Sequence, residues 1–252
     1  AGTVAKLLKE GYTGYLIRVT NDDMAGPGTI GQTVLANEQD NQELARVMGF
    51  KGVFDLNYNN HRMDDVSPVE LRCRFIFLIR LLQIDTIIAY DPWGHYEENP
   101  DHSVTAMALE SACWMAAMDK DYPEHFAAGL KPKGVTEKYY FARGPQLINR
   151  IVDISETIEE KIDAIAVNKA QGPGGDTGAR LRARLAEKGL RLPILGDDDR
   201  TANREYIRHF LLKDEEEIGR RHGLRYAEAF HYIGPRPSEI DDYIRQNAVP
   251  IR

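Results

Sequence analysis

The sequence predicts an α/β fold, a mostly parallel sheet covered by helices. Three observations predict it. Short runs rich in β-branched and aromatic residues alternate with amphipathic helical runs up to residue 169. Most strand-like runs are separated by enough chain for the crossover that parallel strands require. The early strand-like runs each end in a polar loop, as in open sheets that bind ligands at their carboxyl ends. With 252 residues, 42% of them hydrophobic, the chain can bury a substantial core.

The first helix is expected over Gly2–Glu10, where Val4, Leu7 and Leu8 share a face, with Gly11 as its terminator. Tyr15–Thr20 is the first strand and opens into Asn21-Asp22-Asp23. A helix over about Thr33–Met48 stops at Gly49. Lys51–Leu56 is the second strand, followed by Asn57-Tyr58-Asn59-Asn60-His61. Ser67-Pro68 starts the next helix, which runs to about Leu82. Thr86–Tyr90 is a strand and Ser103–Met118 a helix. Thr136–Ala142 and Ile151–Ile154 are strands, and Ser155 caps a helix to about Lys169. The order opens on a crossover helix, which implies a strand before it. Residues 1–171 therefore read as the α/β core. Residues 172–233, with charged helical runs at Thr177–Gly189 and Asp198–Arg221 and an apolar cluster at Leu224–Ile233, read as a helical C-terminal extension completing the same domain. Residues 234–252 read as a polar tail.

Bulk properties narrow the function classes. The net charge is −7, and the short run Arg180–Arg184 reads as a solvated helix face, so nucleic acid is not an expected partner. No apolar run reaches the ~18 residues that span a bilayer. Cys73 and Cys113 lack metal or redox spacing and read as buried thiols, which points to a reducing, cytoplasmic compartment. G-x-G-x-x-G, P-loop, G-x-S-x-G and H-E-x-x-H patterns are absent.

The chemistry concentrates in Asp91-Pro92-Trp93-Gly94-His95-Tyr96-Glu97-Glu98-Asn99-Pro100-Asp101-His102, a strand-to-helix loop with two imidazoles and four carboxylates. His102 is placed to be a metal ligand through one ring nitrogen while a neighbouring group holds the other; a surface or capping histidine is the plainer alternative. Asp101 is best placed to cap the helix beginning near Ser103. Trp93 and Tyr96 are either core anchors or an aromatic wall for a sugar ring. Asn60 and His61 end another strand on the same face. The loops after three parallel strands converge on one crevice.

These residues resemble the LmbE/PIG-L family of zinc-dependent de-N-acetylases. The opening Ala1-Gly2-Thr3-Val4-Ala5-Lys6-Leu7 is similar to the family's helix after its first strand, and Glu43–Gly49 with Val53 and Leu56 to a helix-and-strand unit. Asn99-Pro100-Asp101-His102 resembles its H-P-D-H motif. Val152–Ser155 with Lys161 and Gln171, and Tyr226–Phe230, resemble its later segments. The resemblance implies a Rossmann-like core and hydrolysis of an N-acetyl group from a small amino sugar or sugar conjugate. It implies one Zn2+ with His102 as a ligand, and it places the family's H-P-D-D motif, with the other ligands and the general base, upstream of Ala1. Asn99 stands where the family has histidine. An amide can orient substrate or donate to an oxyanion but cannot deliver a proton, a part left to His95 or a water. Asn60, His61, Asp91, Trp93 and Tyr96 are expected to line the substrate pocket. An amidase acting on a non-sugar conjugate, a non-catalytic sugar-binding protein and an inactive truncated chain are the other expectations.

Overall fold

The computed structural model describes residues 1–235 and 238–250. In chain order the elements are α1 (Gly2–Lys9), β1 (Tyr15–Thr20), α2 (Ile30–Met48), β2 (Gly52–Tyr58), α3 (Pro68–Leu82), β3 (Thr86–Tyr90), α4 (Pro100–Met115) and the short α5 (Pro123–Ala127). There follow β4 (Glu137–Phe141), β5 (Arg150–Asp153), α6 (Ile158–Ala166), α7 (Thr177–Ala186), α8 (Asp199–Tyr206), α9 (Lys213–Arg221), β6 (Ala227–Ile233) and α10 (Glu239–Asn247).

Local chemistry sets the helix ends. Thr29 and Gln32 form a reciprocal capping box at the start of α2, and Gly49 ends it with φ 75°. Ser67 accepts from Glu70 N, with Pro68 in the first turn of α3. At α4 the cap is Asn99, whose side chain accepts from Asp101 N, and Pro100 occupies the first turn. The helix therefore starts at Pro100, not near Ser103, and Asp101 is not its cap. The far end of α4 is closed by the buried Arg80 of α3. Its guanidinium donates to the carbonyls of Ala116 (3.0 Å), the C-cap, and of Met118 (2.7 Å) and Asp121 (2.9 Å) in the loop that follows.

Parallel pairing occurs where strand–helix alternation predicts it. β1 and β2 form one sheet in parallel, from Tyr15 opposite Gly52. β3 and β4 pair in parallel within a second sheet of order β3-β4-β6-β5. β6 lies antiparallel to both β4 and β5. The Leu224–Ile233 cluster therefore does not extend the helical region; most of it is a strand inside the sheet. The expected helix over Asp198–Arg221 is broken into α8, a π-turn at Ile207–Leu211, and α9. The expected polar tail contains α10; its residues 236, 237, 251 and 252 lie outside the described residues.

Three apolar clusters hold these layers. Leu71, Phe75, Ile76 and Ile79 of α3 pack with Ala108, Ala112 and Cys113 of α4 beneath Ile17, Leu56 and Ile87. Ile158 and Ile162 meet Ile207, Leu212 and Tyr226, and Ala5, Met48 and Ala164 join α1, α2 and α6. Between the last two clusters, Glu228 of β6 accepts from Gly2 N (3.0 Å), Thr3 N (2.8 Å) and Lys161 Nζ (2.5 Å). Cys73 and Cys113 are unpaired thiols; Cys113 is buried and Cys73 half-buried, and burial pushes the Cys113 thiol up to about 12.

Candidate functional site

The sheet register brings distant residues to one loop. Tyr90 at the end of β3 pairs with Phe141 of β4, and the preceding β4 residue, Tyr140, pairs with His231 of β6. Asp91 N then donates to Phe141 O at 2.8 Å, which turns the chain out of the strand. The Asp91 carboxylate, 2% exposed, reaches His231 Nδ1 at 3.1 Å. It also accepts from Gln146 Nε2 (3.0 Å) and from Trp93 N (2.9 Å). Three contacts fix this carboxylate, and the carboxylate in turn sets the His231 ring: with Nδ1–H facing Asp91, Nε2 is left free to accept. The Trp93 ring lies 5.5 Å from the His231 ring and is 51% exposed.

His102 is held in the same manner by a different acid. Its Nδ1 meets Glu97 Oε1 at 3.0 Å, and Glu97 also accepts from Asn99 N at 3.1 Å. Tyr90 stacks on the His102 ring with centroids 3.9 Å apart, and burial raises the pKa of its phenol. Asn99 Nδ2 stands 3.5 Å from His102 Nε2. Glu97 is the neighbouring group that holds the other ring nitrogen.

Asp101, expected as the cap, instead fastens a neighbouring loop. Buried, it accepts from Asn60 Nδ2 (3.2 Å), His61 N (2.8 Å) and Met63 N (3.4 Å), tying the β2–α3 loop to the first turn of α4. Asp23 holds the same loop through Asn59 Nδ2 (2.7 Å) and Asn60 N (2.9 Å). Burial raises the Asp23 carboxyl, yet these hydrogen bonds prevail and hold it below its ordinary value. Asp22, Asn57, His61 and Tyr96 all have φ near +60° at these strand ends, a conformation that side chains other than glycine seldom adopt.

The sequence-expected residues are thus placed unevenly. Asn99 and His102 adjoin, Asp91 and Trp93 adjoin His231, and Asn60 is bonded to Asp101. The His61 side chain is exposed, and only its backbone is anchored. His95 is exposed with its amide on Pro145 O (3.3 Å), and Tyr96 is 79% exposed beside it. The sequence assigns no role to His231 and marks Glu97 only as one of the loop's four carboxylates. His231 is 140 residues from Asp91, and no local pattern marks it. Glu97 stands inside the motif, five residues before His102.

His102 fits one metal-ligand position. Its Nδ1 is held by a carboxylate, which orients Nε2 as a donor atom. Among the described residues, no group of three or more His, Cys, Asp or Glu side chains is gathered to hold a metal ion.

Residues 1–113 match a family profile described as "PIG-L: GlcNAc-PI de-N-acetylase". The chain is 24% identical over 176 residues to diacetylchitobiose deacetylase of Thermococcus kodakarensis, a match covering 68% of this chain and 64% of that relative's length. Among solved structures, N,N'-diacetylchitobiose deacetylase from Pyrococcus horikoshii, complexed with its inhibitor MPG, superposes with a TM-score of 0.71 at 23% identity, covering 96% of this chain and 82% of that one. The conserved protein TT1542 from Thermus thermophilus gives 0.62 at 21%, with coverages of 94% and 88%. The hydratase GalB, which acts on 4-carboxy-2-hydroxymuconate in Pseudomonas putida, gives 0.64 at 16%, with 94% and 91%. These likenesses show the shared α/β fold. Among the described residues no helix is long and apolar enough to cross a membrane.

Proposed function

We propose that this chain, whose residues 1–113 match the PIG-L de-N-acetylase profile, hydrolyses the N-acetyl amide of an amino sugar, releasing acetate and a free amine. The family description and the deacetylase relative support the reaction class. The observation that carries it to particular residues is the β3–α4 loop, where two imidazoles are each set by a buried carboxylate, His102 by Glu97 and His231 by Asp91.

In this reading Asn99 Nδ2 donates to the carbonyl oxygen as it gains negative charge, an interaction worth ~10²–10³ in rate for a well-placed donor. His231 is the proton carrier. Its ring is oriented by Asp91: Nε2 takes a proton from water as the water oxygen bonds to the carbonyl carbon, and passes it to the amine nitrogen as the C–N bond breaks, leaving acetate and the free amine. His95, the other candidate for that part, has among the described residues no carboxylate to set its tautomer and would line the mouth with Trp93 and Tyr96. Asn60 and His61 would border the pocket from the β2–α3 loop. Zinc belongs to the proposal through His102 Nε2 alone. A zinc ion held there would supply Lewis-acid polarisation of the amide.

The test is a substrate panel, with acetate and free amine measured in parallel. N-acetylglucosamine and N,N'-diacetylchitobiose are expected to yield equimolar acetate and amine, while N-acetyl amino acids yield none. Release from the amino acids but not the sugars would replace this function with a non-sugar amidase. Sugar binding without release would replace it with a binding role.

A further inference from the structure

Among the described residues, one carboxylate oxygen of Glu97 meets no donor. The side chain is nine-tenths buried. Oε1 is fully engaged, accepting from His102 Nδ1 and Asn99 N, with Arg143 Nη1 3.8 Å away. Oε2 is buried, and among the described residues no donor reaches it. Leaving such an atom unmatched is costly, more so for a charged group than for a neutral one. A second atom has the same character. Asn60 donates from Nδ2 to Thr20 Oγ1 (3.2 Å) and to Asp101 Oδ2 (3.2 Å), while its Oδ1 is buried without a donor. Both orphan atoms are acceptors. Both belong to loops fastened to the first turn of α4, Glu97 through Asn99 and His102, Asn60 through Asp101.

The geometry points to a donor-reading subsite, in which Glu97 Oε2 accepts a hydrogen bond from the bound sugar and Asn60 Oδ1 provides a second acceptor. This rests on the reading of the loop as an amino-sugar deacetylase site and adds what it selects: a ligand that offers hydrogen-bond donors, not an amide alone. A ring hydroxyl and the ammonium of the deacetylated product share that chemistry. An N-acyl compound without hydroxyls leaves both acceptors buried and unmatched, so the subsite discriminates against it.

Calorimetric titration of the full chain and of Glu97→Gln tests the assignment. The glutamine keeps an amide oxygen for His102 Nδ1 and puts an NH2 group where Oε2 stood, so the imidazole stays oriented while the acceptor becomes a donor. The dissociation constant for N-acetylglucosamine is expected to rise roughly ten- to a hundredfold, the range for a lost hydrogen bond to a charged group. That for N-ethylacetamide should not change. On the wild-type chain, one of the 3-, 4- and 6-deoxy analogues should show the same loss, and this arm decides the matter even if the variant does not fold. A larger loss for glucosamine than for N-acetylglucosamine assigns the donor to the ammonium; equal losses assign it to a hydroxyl. Unchanged sugar affinity in Glu97→Gln, with no deoxy analogue weakened, overturns the subsite and leaves the deacetylase reading standing wherever acetate is released. A wild-type chain that binds neither sugar overturns both.

Discussion

Three histidines show how a neighbour decides what an imidazole does. His102 and His231 each face a carboxylate at Nδ1. His125 instead faces a cation: its Nδ1 lies 3.1 Å from Arg80 Nη1, a pure donor, so the ring accepts there and is neutral. Tyr122 stacks on it and Phe77 meets it edge-on. Burial, then the Arg80 charge, lowers its pKa below 6.5, with Glu124 opposing. The unfolded chain therefore binds this proton more readily than the folded one. The His125 contribution to stability is complete above about pH 6.5 and is lost as pH falls through the lower folded value. Melting temperature should accordingly drop more between pH 7 and pH 5 in the wild type than in His125→Gln, whose amide oxygen still accepts from Arg80. Equal drops in the two proteins would remove His125 as the cause. Legibility in the sequence also differs among these residues. Asn99 and His102 could be read because they open and close Asn99-Pro100-Asp101-His102, the short run that resembles the family's H-P-D-H motif. The Glu97 contact was hidden by the left-handed Tyr96 before it, and the Asp91–His231 pair by strand order, which no local pattern reveals.

At the scale of elements, the site is a junction of three loops, and Asp101 is its fastening. It gives acceptors to two backbone amides and one side chain of the β2–α3 loop from the start of α4. Asp101→Ala leaves the His61 and Met63 amides without this acceptor, at about 1–3 kcal/mol for each one left unmatched, while Asn60 Nδ2 keeps Thr20 Oγ1. The expected outcome is a loss of about 2–4 kcal/mol in unfolding free energy. Hydrogen exchange should quicken at the His61 and Met63 amides, with the α3 amides after Leu71 unaffected. Protected loop amides in the variant would show that Asp23 holds the loop without Asp101. Most helices and strands were legible because caps and periodicity agree: Ser67-Pro68, Gly49 and the Thr86–Tyr90 run all fall where local chemistry puts them. The exceptions are tertiary. Ala227–Ile233 is a strand because β4 and β5 both pair with it. The helix expected over Asp198–Arg221 carries one extra residue per turn at Ile207–Leu211, where Ile207 and Leu212 enter the core shared with Ile158 and Ile162.

For the whole molecule, the antiparallel β6 is what unites the early α/β pattern with the late region. It brings Glu228 to the start of α1 and to Lys161 at one end, and His231 to Asp91 near the other. One strand thus serves both the packing of the helices and the candidate site. Under the proposed function, the β3–α4 loop is where an N-acetyl amino sugar loses its acetyl group, with His102 at its centre. Acetate release from N-acetylglucosamine by the wild type and by His102→Ala, at matched folded protein concentration, tests it most directly. The loss of an outer-shell partner of a metal ligand already costs about 10–100-fold, so removal of His102 itself should lower the rate by more than about a hundredfold, with the melting temperature little changed. Acetate release by His102→Ala at the wild-type rate would contradict the claim.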